Sequence, residues 1–243
     1  MTTPASRTHA PRRSIETLIE AYLAQLAGGR RRAREVGQSL ELLRHGLDGY
    51  GYQHLSRADR ERWSAAFNDG DETCFSRMFG ARELARYLDE FLGYFLIRKV
   101  AMPEDEVART VEDVRGFVEW LAAERELRPT AAKKALGGIA TASVDLPAAE
   151  RLGRLLHEIA QANAEPGRRA TGPEFDEIVE DYLVVERVAP GRIWFLDGIG
   201  PIKVPEAASA TARPGWTINL VLGRRGATWD VLEVGNVYPE TLA

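Results

Sequence analysis

Several features that define common functional classes are scarce or missing in this sequence. It contains one cysteine, Cys74, so no disulfide can form within the chain and a disulfide-stabilised secreted fold is excluded. No apolar run approaches the roughly 18 residues of a membrane span. The arginines near the N-terminus are not followed by the apolar stretch of a secretory signal. We therefore expect a cytoplasmic protein in which Cys74 is buried as a small apolar side chain.

Recognisable catalytic motifs are also missing. There are four histidines, and none shares a helical face with a second histidine, so no zinc-type ligand set is present. The sequence has neither a phosphate-binding glycine loop nor a Gly-x-Ser-x-Gly elbow. Acidic pairs such as Glu112/Asp113 are typical of solvated helix faces. We predict no catalytic residue, no metal and no cofactor, and an enzyme of unrecognised type stays an alternative.

What the sequence does contain, up to Ala164, is helical periodicity. Ser14 and Ser56 precede apolar residues at helical spacing and are predicted to cap two helices. We interpret residues 28–34 as a connection and residues 130–144 as weak helix or loop, and we expect a further helix to start at Pro147. The sequence thus predicts a disordered tail over residues 1–13 and an all-α bundle over residues 14–164.

The periodicity changes after a polar stretch rich in Pro and Gly, residues 165–173, which we predict to be a linker. Beyond it, five short strands alternate with turn signals, and a helical turn precedes the fourth strand. This pattern predicts a small antiparallel β-barrel over residues 174–243, either OB-like (oligonucleotide/oligosaccharide-binding) or SH3-like. The expected fold class is α+β in two parts.

Part of the helical region resembles a known family. The segments Leu88–Lys99 and Val111–Leu121, with their aromatic and apolar spacing, look like the helical SAM-like core-binding module of tyrosine recombinases (phage integrases). The resemblance implies a module that grips DNA. The catalytic domain of that family does not follow. His54 and Arg57 have the spacing of its His-x-x-Arg element, but they lie inside the helical region and not in a catalytic domain.

Two sets of residues are candidates for binding. Strand alternation puts Trp194 on the opposite face from Ile193 and Phe195, so Trp194 and Tyr238 are the expected partner-binding aromatics. The arginine run Arg30, Arg31, Arg32 and Arg34 is the candidate nucleic-acid-binding site, with a solvated loop as the alternative.

The charge distribution ranks the possible partners. Residues 1–34 contain seven Arg against two Glu, whereas residues 173–243 contain six Lys or Arg against eleven Asp or Glu. The net charge of −4 gives no general attraction to nucleic acid or to an anionic membrane. The leading hypothesis is therefore a non-catalytic interaction protein whose barrel binds a protein or peptide, or self-associates. DNA binding through the helical part is the second hypothesis, and no membrane partner is expected.

Overall fold

A computed structural model describes residues 13–100, 102–164 and 175–239. The chain divides into two compact units, one formed by Met1–Phe91 with Glu112–Gly138 and the other by Leu92–Val111 with Ile139–Ala243. The predicted tail, apart from Arg13, and the predicted linker lie outside the described residues. The mixed α+β class is confirmed, because a helical region is followed by a five-strand sheet.

The helical elements follow the chain in this order: α1 (Ile15–Leu26), α2 (Arg30–Tyr50), α3 (Arg57–Asn68), α4 (Cys74–Met78), α5 (Ala81–Glu90), α6 (Leu96–Lys99), α7 (Glu104–Ala123) and α8 (Pro129–Ala164). A 3₁₀ turn, Gly51–His54, follows α2, and a π-helical segment, Phe91–Phe95, joins α5 to α6. The predicted caps are confirmed: Ser14 Oγ accepts from the Thr17 amide, and Ser56 Oγ accepts from the Asp59 amide, each at 3.2 Å.

Two sequence-based boundaries are wrong. The arginine run is not a loop, because α2 begins at Arg30 directly after Gly28 and Gly29. The stretch from Pro129 to Ala164 is one helix of 36 residues with Pro147 inside it. Its buried side chains continue at helical spacing on both sides of the proline: Ala132, Ala135, Ile139, Ala142, Leu146, Ala149, Leu152, Leu156 and Ala160. Five of these nine buried residues are alanines. The spacing of larger apolar residues alone therefore does not show that the helix is continuous.

The sheet lies wholly in the second unit. Its strands are β1 (Glu177–Ala189), β2 (Arg192–Phe195), β3 (Ile202–Lys203), β4 (Thr217–Arg225) and β5 (Thr228–Tyr238), with the short helix α9 (Glu206–Thr211) between β3 and β4. Pairing runs in the order β1-β2-β3-β5-β4, and β4 pairs with β1 again. Four of these pairings are antiparallel as predicted, and the β3–β5 pairing is parallel.

Alternation along the strands builds the core of the second unit. Trp216, Ile218 and Leu220 point inward, as predicted, and are at most 3% exposed. Leu152 and Leu156 of α8 belong to the same buried cluster. Burying such side chains is the main favourable contribution to folding, at about 25 cal/mol per Å² of apolar surface. This packing fixes which strand side chains are left to face outward.

The core of the first unit is built by aromatic and leucine side chains of α2, α4 and α5. Phe75, Tyr87 and Leu40 are fully buried there. Cys74 is buried as predicted, and this burial raises the pKa of its thiol. In the described part of the chain, no helix combines the length and apolar character that crossing a membrane requires.

Candidate functional site

The outward side chains of β1, β2 and β3 form a surface that we call the cationic face. It consists of Arg187, Arg192, Trp194 and Lys203. Ile193, Phe195 and Ile202 are fully buried, so their neighbours Arg192, Trp194 and Lys203 must project from the other side of the sheet. A register irregularity between Val185 and Arg187 places Arg187 opposite Trp194.

Trp194 is covered by an arginine. The guanidinium carbon of Arg187 lies 3.6 Å from the centre of the Trp194 ring, and the two residues are paired across β1 and β2. Such a contact is worth about 0.5–1 kcal/mol at an exposed site. Trp194 is half-buried and Arg187 is exposed, so the stack presents a planar guanidinium supported by an indole.

The charges of the cationic face are not balanced locally. Arg192 and Lys203 are directly opposite each other on β2 and β3. Like charges in this position destabilise a sheet. Among the described residues, none forms an ion pair with Arg187, Arg192 or Lys203, whereas Arg224 of β4 pairs with Glu177 at 2.8 Å. The arrangement opposes sheet stability and is suited to an anionic ligand.

Tyr238, the second predicted aromatic, belongs to a different neighbourhood. Its ring centre lies 6.0 Å from that of Tyr182, and its hydroxyl accepts a hydrogen bond from Nδ2 of the Asn236 side chain at 3.2 Å. Tyr182 and Arg187 are five residues apart on β1, or about 16 Å at 3.3 Å per residue. The structure therefore does not bring Trp194 and Tyr238 into one site.

The predicted arginine run is partly neutralised within the first unit. Arg31 Nε bonds Glu35 at 2.9 Å, and Arg32 lies 2.6 Å from Asp113, whose carboxylate is fully buried and also accepts from Ser39 Oγ at 2.7 Å. Arg30 and Arg34 are exposed and have no ion pair with a described residue. Within the described ranges, the run thus retains two cations without an ion pair, at the start of a helix whose dipole disfavours positive charge.

The two residues of the His-x-x-Arg match also have separate partners. His54 Nε2 lies 2.5 Å from Glu90, and Arg57 Nε bonds Glu61 at 3.1 Å. The residues His9 and Arg12, which match the same element, lie outside the described residues. His54 and Arg57 are therefore engaged with different carboxylates of the first unit.

The second unit also contains an apolar cleft of about 650 Å³. Leu96, Val107 and Leu146 line it together with four charged or titratable side chains, Arg98, Glu150, Arg154 and His157. Burial, followed by the neighbouring charge of Glu104, raises the pKa of the Glu150 carboxyl. Segments far apart in the chain contribute the lining, so no local motif could have indicated this cleft.

No protein-family model, curated protein or solved structure matches this chain. In the described ranges, no group of three or more His, Cys, Asp or Glu side chains could hold a metal ion.

Proposed function

We propose that the protein is a non-catalytic binding protein that holds single-stranded nucleic acid on the cationic face. The observation that carries this proposal is the clustering of three cations, none with an ion pair in the described part of the chain, around a stacked tryptophan on one side of the sheet. Proteins that bind single strands combine a positive surface for the backbone with planar side chains for the bases. Arg192 and Lys203 would contact phosphates, and a base would stack on Arg187 where it covers Trp194.

We further propose that the sheet is a small barrel of the OB-like type. The cyclic pairing order and the short helix before β4 support this over the SH3-like alternative. In OB-like barrels, strands 2 and 3 form the surface that binds oligonucleotides or oligosaccharides. The cationic face occupies these two strands and the adjacent half of β1. Three of the acids of the C-terminal part, Glu177, Glu180 and Asp181, lie in the other half of β1.

The test is fluorescence anisotropy with labelled random single-stranded DNA over a range of salt concentrations. With three cations engaged, the logarithm of the affinity should fall with log salt at a slope of about −2. Replacing Arg192 and Lys203 together by Ala should remove about two thirds of this slope. Trp194→Ala should weaken binding by about tenfold or more while leaving the slope unchanged, because stacking is not a charge effect.

A matched control is Arg57→Ala with Arg62→Ala, which removes two exposed arginines from α3 in the first unit. We expect this variant to bind as the original protein does. Equal affinity in the control and in the Arg192/Lys203 variant would contradict the assignment of the face. Binding of an acidic peptide with no binding of DNA would indicate a protein partner instead.

A protein partner or a second copy, bound at Tyr238, is the second candidate function. Ile178 and Tyr182 are 61% and 47% exposed and lie on the same side of β1, which leaves apolar surface next to Tyr238. Sedimentation velocity of the full chain tests self-association. Tyr182→Ala with Tyr238→Ala should convert a dimer to a monomer, and a monomer at all concentrations in the original protein would exclude a second copy.

DNA binding through the recombinase-like helices is the third possibility and stays a prediction. Its charged residues would be Arg30 and Arg34, because Arg31 and Arg32 already have acidic partners. An enzyme of unrecognised type would use the apolar cleft, where Glu150 is the acid with a raised pKa.

A further inference from the structure

The first unit has a concave site of its own, which shares no residue with the cationic face. It is a pocket of about 310 Å³ lined by four arginines, Arg13, Arg82, Arg86 and Arg128, and we call it the arginine pocket. Its remaining charged lining residues are Glu83 and Glu126, so the lining has a net charge of +2. A volume of this size is at the lower end of small-molecule sites.

Among the residues that the structure describes, only two of the four arginines are paired with these acids. Glu126 lies 3.5 Å from Arg13, and the buried carboxylate of Glu83 pairs with Arg82. Arg86 and Arg128 are exposed and make no ion pair with any residue in the described ranges. Arg86 and Arg128 line the same concave pocket, so their charge is concentrated around one small volume.

Two helices start at this pocket and strengthen its positive potential. Gly80, Ala81 and Arg82 line it at the start of α5, and Arg128 and Ala131 line it at the start of α8. Gly80 has no side chain that could accept a hydrogen bond from the first amides of α5. The Arg128 carbonyl accepts from the Ala132 amide at 2.9 Å, but the Arg128 side chain has only donors and therefore cannot cap the amides of α8. By contrast, α1 and α3 are capped by serine hydroxyls.

We propose that the arginine pocket binds a small ligand through a phosphate or pyrophosphate group. A phosphate oxygen accepts from helix-terminal amides, and a guanidinium binds two such oxygens in parallel. Arg86 and Arg128 supply the charge, and the starts of α5 and α8 supply the amides. The volume accommodates the phosphate with a small group attached. This site does not depend on the cationic face.

The test is isothermal titration calorimetry of the full chain with inorganic pyrophosphate at physiological salt. Arg86→Ala with Arg128→Ala should weaken binding by about 100-fold, at about tenfold for each charge-assisted contact. The variant Arg57→Ala with Arg62→Ala removes the same charge from the same unit and should bind normally. No heat of binding at millimolar pyrophosphate, or equal affinity in both variants, would overturn the proposal.

Two further arms identify the source of the phosphate. A short oligonucleotide without a terminal phosphate should not compete with pyrophosphate, because a backbone phosphate carries a nucleoside on both sides and the small pocket accommodates only one attached group. Competition would overturn the small-ligand assignment in favour of a nucleic-acid backbone. Trp194→Ala should leave pyrophosphate binding unchanged, so failure of the cationic face and failure of this pocket are distinguishable.

Discussion

The arginines of α2 and the cations of the sheet illustrate two different relations between sequence and surface charge. The residues Arg30, Arg31, Arg32 and Arg34 are clustered along the chain, yet folding gives two of them acidic partners. Arg187, Arg192 and Lys203 are scattered along a net acidic segment, yet strand pairing brings them together, and none of them has an ion-pair partner among the described residues. A run of charge in a sequence is therefore a weaker sign of a binding surface than a cluster created by the fold.

The first prediction concerns Asp113, the acidic partner of Arg32 in the arginine run. Asp113→Ala removes a fully buried carboxylate that Ser39 and Arg32 both contact, and should lower the free energy of unfolding by about 2 kcal/mol. Urea denaturation measures this value. The control is Glu112→Ala on the same helix, because Glu112 is 58% exposed and its pair with Arg115 should contribute less than about 0.5 kcal/mol. Equal losses in the two variants would mean that the arginine run is not held by Asp113.

The second prediction concerns Lys203, which lies opposite Arg192 on the cationic face. Lys203→Glu replaces a like-charge pair across β2 and β3 by an opposite-charge pair with Arg192, so the free energy of unfolding should rise by about 0.2–1 kcal/mol. The same change should weaken binding of single-stranded DNA about tenfold. Urea denaturation and anisotropy on one preparation measure both effects. A variant that loses stability, or binds DNA as before, would show that this cation is not kept for a ligand.

A charge reversal at Arg30 in α2 is the matching experiment to Lys203→Glu for the arginine run. Arg30→Glu places an acid in the first turn of α2, where the helix dipole favours it, and should raise the free energy of unfolding by about 0.3–1 kcal/mol. Binding of single-stranded DNA should not change. A loss of affinity as large as that of Lys203→Glu would transfer the nucleic-acid contact to α2.

The smallest expected effect concerns an acid of the second unit. Burial and the charge of Glu104 raise the pKa of Glu150, so ionising it disfavours the folded state above that pKa. Glu150→Gln should therefore stabilise the protein at pH 7 by a few tenths of a kcal/mol, since solvent screens most of the effect. Below the ordinary Glu pKa of about 4.3 the gain should vanish, because both states are then protonated. Denaturation at pH 7 and pH 3.5 checks this, and an equal gain at both values would contradict it.

Much of the fold could be predicted because local patterns determine it. Serine caps fixed the starts of α1 and α3, and alternation placed Trp216 inward and Trp194 outward. The continuity of α8 could not be predicted from large apolar residues alone, since alanines carry its buried stripe across Pro147. The parallel β3–β5 pairing joins residues 27 positions apart at Ile202 and Trp229, which no local pattern indicates.

Strand alternation predicted that Trp194 faces outward, but it did not predict which charged residues surround Trp194. The pairing of Arg187 with Trp194 depends on a register irregularity in β1, and the pairing of Arg192 with Lys203 depends on how β2 meets β3. A count of charges over the C-terminal segment averages these cations with acids that lie on other parts of the sheet. The same limit applies to the arginine pocket, whose lining comes from three separate stretches of chain.

The division of the chain has a consequence for its synthesis. Leu92–Val111 belongs with the sheet, but Glu112–Gly138 belongs with the N-terminal unit. On the ribosome, the first 91 residues must therefore wait for a later segment before their unit is complete. The segment from Leu92 waits longer, until β5 has been made about 127 residues after Val111, or roughly 6 to 25 seconds at 5–20 residues per second. During that interval Leu96 and Val107 lack Val234 and Val237 of β5, so the apolar cleft that these four residues line cannot yet form.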